Sequence, residues 1–176
     1  MVDSKNVSPL QMMIHQSLRP MLRCEAECDP SFKQVIPYAV IEHKPSGMIF
    51  MTTRLGGDER LIGQASIGLG GHMENGESIF DCLYRELNGE IGLRPEDISD
   101  TAFCGFLYNE ASEVDSVHVG MVYHICTDRF DLACLEKDKL TGAWYTPAEL
   151  RYIRAGDHIE SWSAIVTDEL FGKEKN

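Results

Sequence analysis

The sequence has no stretch of eighteen consecutive apolar residues, so no segment carries the signature of a membrane-crossing helix. Its opening residues, MVDSKNVSPLQMMIHQ, lack a basic segment followed by a long apolar run, and a cytoplasmic location is the resulting expectation. Basic charge is scarce: 16 Lys plus Arg stand against 28 Asp plus Glu, giving a net charge of −12 that disfavours a polyanion held on a broad basic surface. Nucleic acid is thereby disfavoured as a partner, while a small phosphorylated ligand bridged by metal stays compatible. The six cysteines include no CxxC pair and no partner histidines at zinc-finger spacing. Cys82, Cys104 and Cys126 lie in apolar segments, where a free cysteine acts as a small hydrophobe, and Cys24 with Cys28 would offer a cation only two ligands.

What is present suits one domain. A chain of 176 residues that is 43% hydrophobic can bury a single core and is short for two. Residues 1–33 read as a helical extension packed on the domain: Ser8 and Pro9 form a cap and first turn, followed by Leu10, Met13, Ile14, Leu18 and Met21 at helical spacing, with Pro20 kinking or ending the helix. A homodimer contact is the alternative use of this Met-rich face. Residues 34–42 and 47–54 read as a hairpin across a turn at 43–46, and 55–61 as a glycine-rich polar loop. Strands follow at 66–69, 101–108, 117–126 and 140–145, with an acidic loop at 109–116. Thr146 and Pro147 start a short helix. The last helix spans about 158–170 with Ile159, Trp162, Ile165, Val166 and Leu170 on its apolar face, and 173–176 is a frayed tail. The fold class that follows is α/β, a mixed sheet covered by helices on both faces over residues 34–172.

The stretch GHMENGESIFDCLYRELNGEIGL, residues 71–93, carries the chemistry. From Ser78 onward Ile79, Leu83 and Leu87 form an apolar stripe at i, i+4 and i+8, with Arg85, Glu86 and Glu90 off it. Glu86 and Glu90 stand one helical turn apart, where like charges repel by a few tenths of about a kcal/mol and a divalent cation would reverse the sign. Gly70 and Gly71 permit a tight strand-to-helix loop whose backbone can approach a metal or phosphate. Glu77 sits at the helix entrance, where the macrodipole favours a carboxylate, and can pair with Arg85, while Gly92 suits the helix C-terminus.

This stretch resembles the Nudix box, GX5EX7REUXEEXGU with U a bulky aliphatic residue. Gly71 starts it, Glu77 follows, then Arg85, Glu86 and Leu87, and finally Glu90, Ile91, Gly92 and Leu93. The departure is Gly89, where the family pattern has an acid. Glycine inside a helix costs roughly 1 kcal/mol against alanine, so local stability does not explain it. The resemblance implies a Nudix-like α/β/α sandwich and a MutT-like pyrophosphatase cleaving a diphosphate linkage in a small, nucleotide-like phosphorylated metabolite. It further implies Mg²⁺ (or Mn²⁺) on Glu86, Glu90 and a backbone oxygen at Gly71, with Glu77 and Arg85 holding loop to helix.

Relatives take the base or an extra ligand from varied places. Glu110, Glu113 and Asp115 of the acidic loop are the candidates here, with Glu110 assigned to the metal, each weighed against a merely solvated loop. Arg54, Arg60 and His72 are substrate candidates, whereas His118 and His124 share one strand face and read as structural. Tyr108, Tyr123 and Trp144 read as core rather than as base-stacking residues. Two other readings stay open at this point: a degenerate module that binds a phosphorylated ligand without hydrolysis, supported by Gly89, and an ordinary amphipathic helix with a charged face.

Overall fold

The computed structural model describes residues 9–56, 62–110, 113–156 and 158–172. Strand β1 (Gln34–His43) is the axis of the sheet, because its alternate side chains serve both faces. Ile36, Tyr38 and Val40 point to one layer, Ala39 and Ile41 to the other. The tight turn at 43–47 sends the chain back as β2 (Met48–Arg54), antiparallel to the end of β1. Two short strands follow, β3 (Ala65–Ser66) against β2 and β4 (Gly68–Gly70) against the middle of β1. Helix α3 (Ile79–Ile91) then crosses over the sheet.

Beyond α3 come β5 (Ile98–Leu107), a short helix α4 (Glu113–Ser116) within the acidic loop, and β6 (His118–Thr127). β6 is antiparallel to β5 and runs parallel to β1 over its whole length, from Gln34 opposite His118 to His43 opposite Thr127. β7 (Leu140–Tyr145) closes the other side by pairing with β2 from Ile49–Tyr145 to Arg54–Leu140. Helices α5 (Pro147–Arg154) and α6 (Ser161–Phe171) follow, so the sheet is mixed and sandwiched.

Period-two alternation splits the core into two layers. On one face Ala39, Ile41, Phe50, Met121, Tyr123 and Ile125 meet Ile79, Leu83, Leu87 and Ile91 of α3. On the other, Val40, Ile49, Met51 and Val122 meet Leu150 of α5 and Trp162 and Val166 of α6. The apolar stripe of α3 is fully used, and Ser78 caps it by accepting from the Asp81 N–H while Asp81 accepts in return. Gly92 ends it in the left-handed conformation at φ 67°, where its N–H reaches back to Asn88.

Three expectations change. In the N-terminal extension α1 (Pro9–Ser17) ends before Pro20 as expected and a separate one-turn α2 (Arg23–Ala26) follows; what changes is that Met13 and Met21 stay exposed, while Ile14 packs on the core. In α6 the buried residues are Trp162, Ser163, Val166 and Thr167, and Ile165 and Leu170 face outward. Ser163 turns inward because its hydroxyl accepts from the Ile67 N–H at 2.9 Å, bonds the Tyr38 hydroxyl at 2.7 Å and donates to Glu160 at 2.8 Å. Cys104 is exposed rather than packed, since the step in register between Phe103 and Gly105 interrupts β5 beside it. Among the described residues no helix is long and apolar enough to cross a membrane.

Leu83 is fully buried between α3 and the sheet. Leu83→Ala should therefore lower unfolding stability by about 2–5 kcal/mol in urea titration, whereas Gly89→Ala, with nothing within 4 Å of the added methyl, should raise it by roughly 0.5–1 kcal/mol.

Candidate active site

The loop 71–78 and α3 are joined by one side chain. Arg85 grips Glu77 with two parallel bonds, Nε to Oε1 at 2.6 Å and Nη2 to Oε2 at 3.0 Å. The same guanidinium donates to the His72 carbonyl at 3.0 Å and to Glu86 Oε1 at 2.5 Å. Glu77 also accepts from the Glu74 N–H at 2.8 Å, so it is spent on fixing the loop. The Arg85 bonds are the main reason its carboxyl falls to about 2 from the ordinary 4.5.

Glu86 and Glu90 project from the next two turns. Glu86 lies against the backbone of Gly71: a Cβ there would stand 2.4 Å from Glu86 Oε1. A side chain at position 71 would have to displace the Glu86 carboxylate, and glycine leaves that carboxylate in place. Glu90 is pushed up to about 7, by burial first, then by Glu86 and Glu136, with Arg54 acting in the opposite sense. A largely buried Glu90 whose carboxyl is raised further by the neighbouring Glu86, with Gly71 beside that pair, makes an oxygen-rich place that prefers positive charge. Its donors are the hard oxygens that Mg²⁺ or Mn²⁺ accepts, and so the residues present fit such an ion.

Other candidates fall at varied distances from this pair. Arg54, at the end of β2, is near enough for its charge to act on Glu90. His72 bonds His118, Nε2 to Nε2 at 3.0 Å, and is pushed down to about 4 by burial and by the Arg23 charge; it is neutral near pH 7. Glu110 accepts from the Tyr108 hydroxyl, and Asp115 accepts from Asn109 Nδ2 at 3.0 Å and from Ser161 Oγ at 3.3 Å. Arg60 and the Glu113 side chain lie outside the described residues. Tyr123 is core, Trp144 packs edge-on to Phe50, and Tyr108 is exposed beneath the Lys33 ammonium.

Sequence reasoning missed Glu136. Its loop is tied to α3 where the Leu135 N–H donates to the Glu90 carbonyl at 2.8 Å, and to the 55–56 loop where Leu55 donates to the Lys139 carbonyl at 2.7 Å. The pairing of Arg54 with Leu140 brings that loop to the acids. Nothing local distinguishes Glu136 from other surface acids; only strand pairing could have found it.

The three-layer sandwich, the arginine-locked loop and the acidic helix agree with the Nudix resemblance of residues 71–93, and so does comparison with known proteins. The NUDIX domain family model matches residues 39–165. The chain is similar to the protein YmaB of Bacillus subtilis (strain 168), 30% identical over 96% of this chain and 85% of that protein. It also resembles the crystal structure of the Nudix-type protein Tm1382, with TM-score 0.70 and 29% identity over 86% of this chain and 78% of that one. In fold alone it resembles DR0079 from Deinococcus radiodurans, with TM-score 0.63 and 16% identity over 86% of this chain and 90% of that one. The chain belongs to the Nudix family and is a hydrolase acting on pyrophosphate bonds.

The Glu77–Arg85 lock carries a pH signature. A carboxyl held at about 2 instead of 4.5 contributes stability that is fully present above pH 4.5 and is lost as pH falls toward 2. Glu77→Gln should cost roughly 1–3 kcal/mol near neutral pH, and the gap to wild type should close below about pH 2 in paired urea titrations.

Proposed function

We propose that this hydrolase cleaves the diphosphate linkage of a small, nucleoside-diphosphate-like metabolite and depends on Mg²⁺ or Mn²⁺ held by Glu86, Glu90 and the Gly71 carbonyl. The observation that supports it is the Glu86–Glu90 pair, set against a side-chain-free Gly71 with Glu90 displaced to about 7. When bound, such an ion screens diphosphate charge and makes water a better nucleophile by lowering its pKa. The chain's own residues do the rest.

Arg85 and Glu77 hold the loop against α3 with Gly71 beside Glu86 and its carbonyl accepting from Cys82 Sγ at 3.6 Å, so the oxygen donors stand close together before substrate arrives. Arg54 presents a cation beside Glu90, suited to a terminal phosphate. His72, neutral and bonded to His118, offers a hydrogen bond rather than a charge. The proton released by the attacking water passes to a carboxylate outside α3. Glu110 and Glu136 are the two candidates, and the loop tether at Leu135 favours Glu136 because it holds that segment on the same end of α3 as Glu90.

A panel of nucleotide sugars, dinucleoside polyphosphates, coenzymes, nucleoside triphosphates and prenyl diphosphates, assayed with Mg²⁺ or Mn²⁺, tests the reading. At least one should turn over, and Glu86→Gln or Glu90→Gln should lower kcat/KM by more than about 100-fold with folding intact. Turnover that is equal with and without divalent metal would refute the metal assignment. Gly71→Ala should act in the same direction, since the methyl displaces the Glu86 carboxylate. Comparing Glu136→Gln with Glu110→Gln separates the proton acceptors: the true one should lose about 10²-fold or more in kcat, the other little.

A further inference from the structure

Three side chains of different ligand chemistry converge at the far end of β1 and β6. The two strands run parallel with Glu42 opposite Cys126 and Val40 opposite His124, so Glu42, His124 and Cys126 leave the same sheet face. That is the face of Tyr38, Val40 and Val122; α3 packs on the other one. Glu42 is eight positions beyond Gln34, the partner of His118, which puts the trio roughly 26 Å along the strand from the His72–His118 pair. It is not part of the acidic site on α3.

One ligand atom from each residue, a Glu42 carboxylate oxygen, a His124 ring nitrogen and Cys126 Sγ, lies within 4.8 Å of the other two. His124 Nε2 is already 2.9 Å from Glu42 Oε2. Around a tetrahedral Zn²⁺, with bonds of about 2.0–2.3 Å, neighbouring ligand atoms are roughly 3.3–3.8 Å apart, so closing the trio on an ion needs about 1 Å of side-chain movement. The side chains of Glu42 and His124 are 26% and 25% exposed and Cys126 is half-buried, which leaves the group reachable yet partly shielded from water. Burial pushes the Cys126 thiol up, and Glu42, Asp100 and Asp128 add to this against Lys44. The same acids favour a cation beside the sulfur.

We propose that Glu42, His124 and Cys126 form a three-ligand Zn²⁺ site, distinct from the α3 acids, with its fourth position open to water. A mixed nitrogen, oxygen and thiolate set selects zinc over magnesium or manganese. On binding, the Cys126 S–H bond gives way to an S–Zn bond and its proton goes to solvent, while a His124 ring nitrogen donates its lone pair and Glu42 exchanges its contact with His124 for one with the metal. No electron is transferred. The ion joins the ends of β1 and β6, so it stabilises the folded chain by mass action.

Titration of the full chain with Co²⁺ reads the site without reference to activity. Wild type should develop a thiolate-to-cobalt charge-transfer absorption that saturates at one equivalent and is displaced by Zn²⁺. Cys126→Ser should abolish the band, and His124→Ala or Glu42→Gln should weaken Co²⁺ binding by roughly tenfold or more. The band should persist in Cys24→Ser/Cys28→Ser, in Cys104→Ser and in Glu86→Gln/Glu90→Gln, which separates this site from the exposed thiols and from the α3 acids. No band in wild type, or a band that survives Cys126→Ser, overturns the proposal. Should Cys126→Ser not fold, wild type supplies the second measurement: Zn²⁺ should slow alkylation of Cys126, mapped by peptide mass spectrometry, by at least about tenfold, and an unchanged rate is equally fatal.

Discussion

The Arg85 guanidinium is the contact on which the arrangement of loop and helix depends. The segment 71–78 belongs to no strand or helix; within it the Glu77 N–H donates to the Glu74 carbonyl, the Ser78 cap fixes its end to α3, and Cys82 Sγ reaches the Gly71 carbonyl at 3.6 Å. Arg85 supplies a further constraint from the side, gripping Glu77 with a fork and the His72 carbonyl with a third bond while touching Glu86. Position is passed on in steps. The sheet holds α3 through Ile79, Leu83, Leu87 and Ile91, α3 holds Arg85, and Arg85 holds the loop. Lysine could not replace it, because a single ammonium lacks the planar fork that meets both oxygens of Glu77 while also reaching a carbonyl.

Much of the fold was legible because the signals are local. Strand alternation and a helical stripe occupy a dozen residues each, and the caps Ser78 and Thr146 and the terminal Gly92 mark helix ends within a few residues. The face of α6 was illegible for a different reason. Hydropathy put Ile165 and Leu170 inside, but the buried Tyr38 hydroxyl and Glu160 needed polar partners, and satisfying them turned Ser163 inward instead. Hydrogen-bond demand decided the place of Ser163 on that helix.

The candidate site was readable along α3 and unreadable across the sheet. Glu77, Arg85, Glu86 and Glu90 are neighbours on one loop and helix, so spacing alone relates them. Arg54 and Glu136 reach Glu90 only because β2 pairs with β7, and His72 reaches His118 only because β4 and β6 flank β1. Gly89 resolves differently: it is exposed, with open space where a side chain would go, and nothing in the structure explains a glycine there. The structure also shows no steric bar to an acid at that position. What the chain offers instead is a tethered loop bearing Glu136 at the same end of the helix.

The parallel pairing of β1 with β6 then sorts the chemistry of the whole chain. Parity decides the face, so His118 and His124, six positions apart, necessarily point the same way. Parity says nothing about the end of the strand, and the ends have different neighbours. His118 meets His72, beside the loop that Arg85 locks, whereas His124 meets Glu42 and Cys126, beyond the reach of α3. Two histidines that look equivalent in the sequence are therefore divided by position along one strand: one bonds His72 of the arginine-locked loop, the other sits with a carboxylate and a thiol. The zinc proposed for the far end rests on that division, because ligand softness is set by the residues that register brings together and not by the histidine itself.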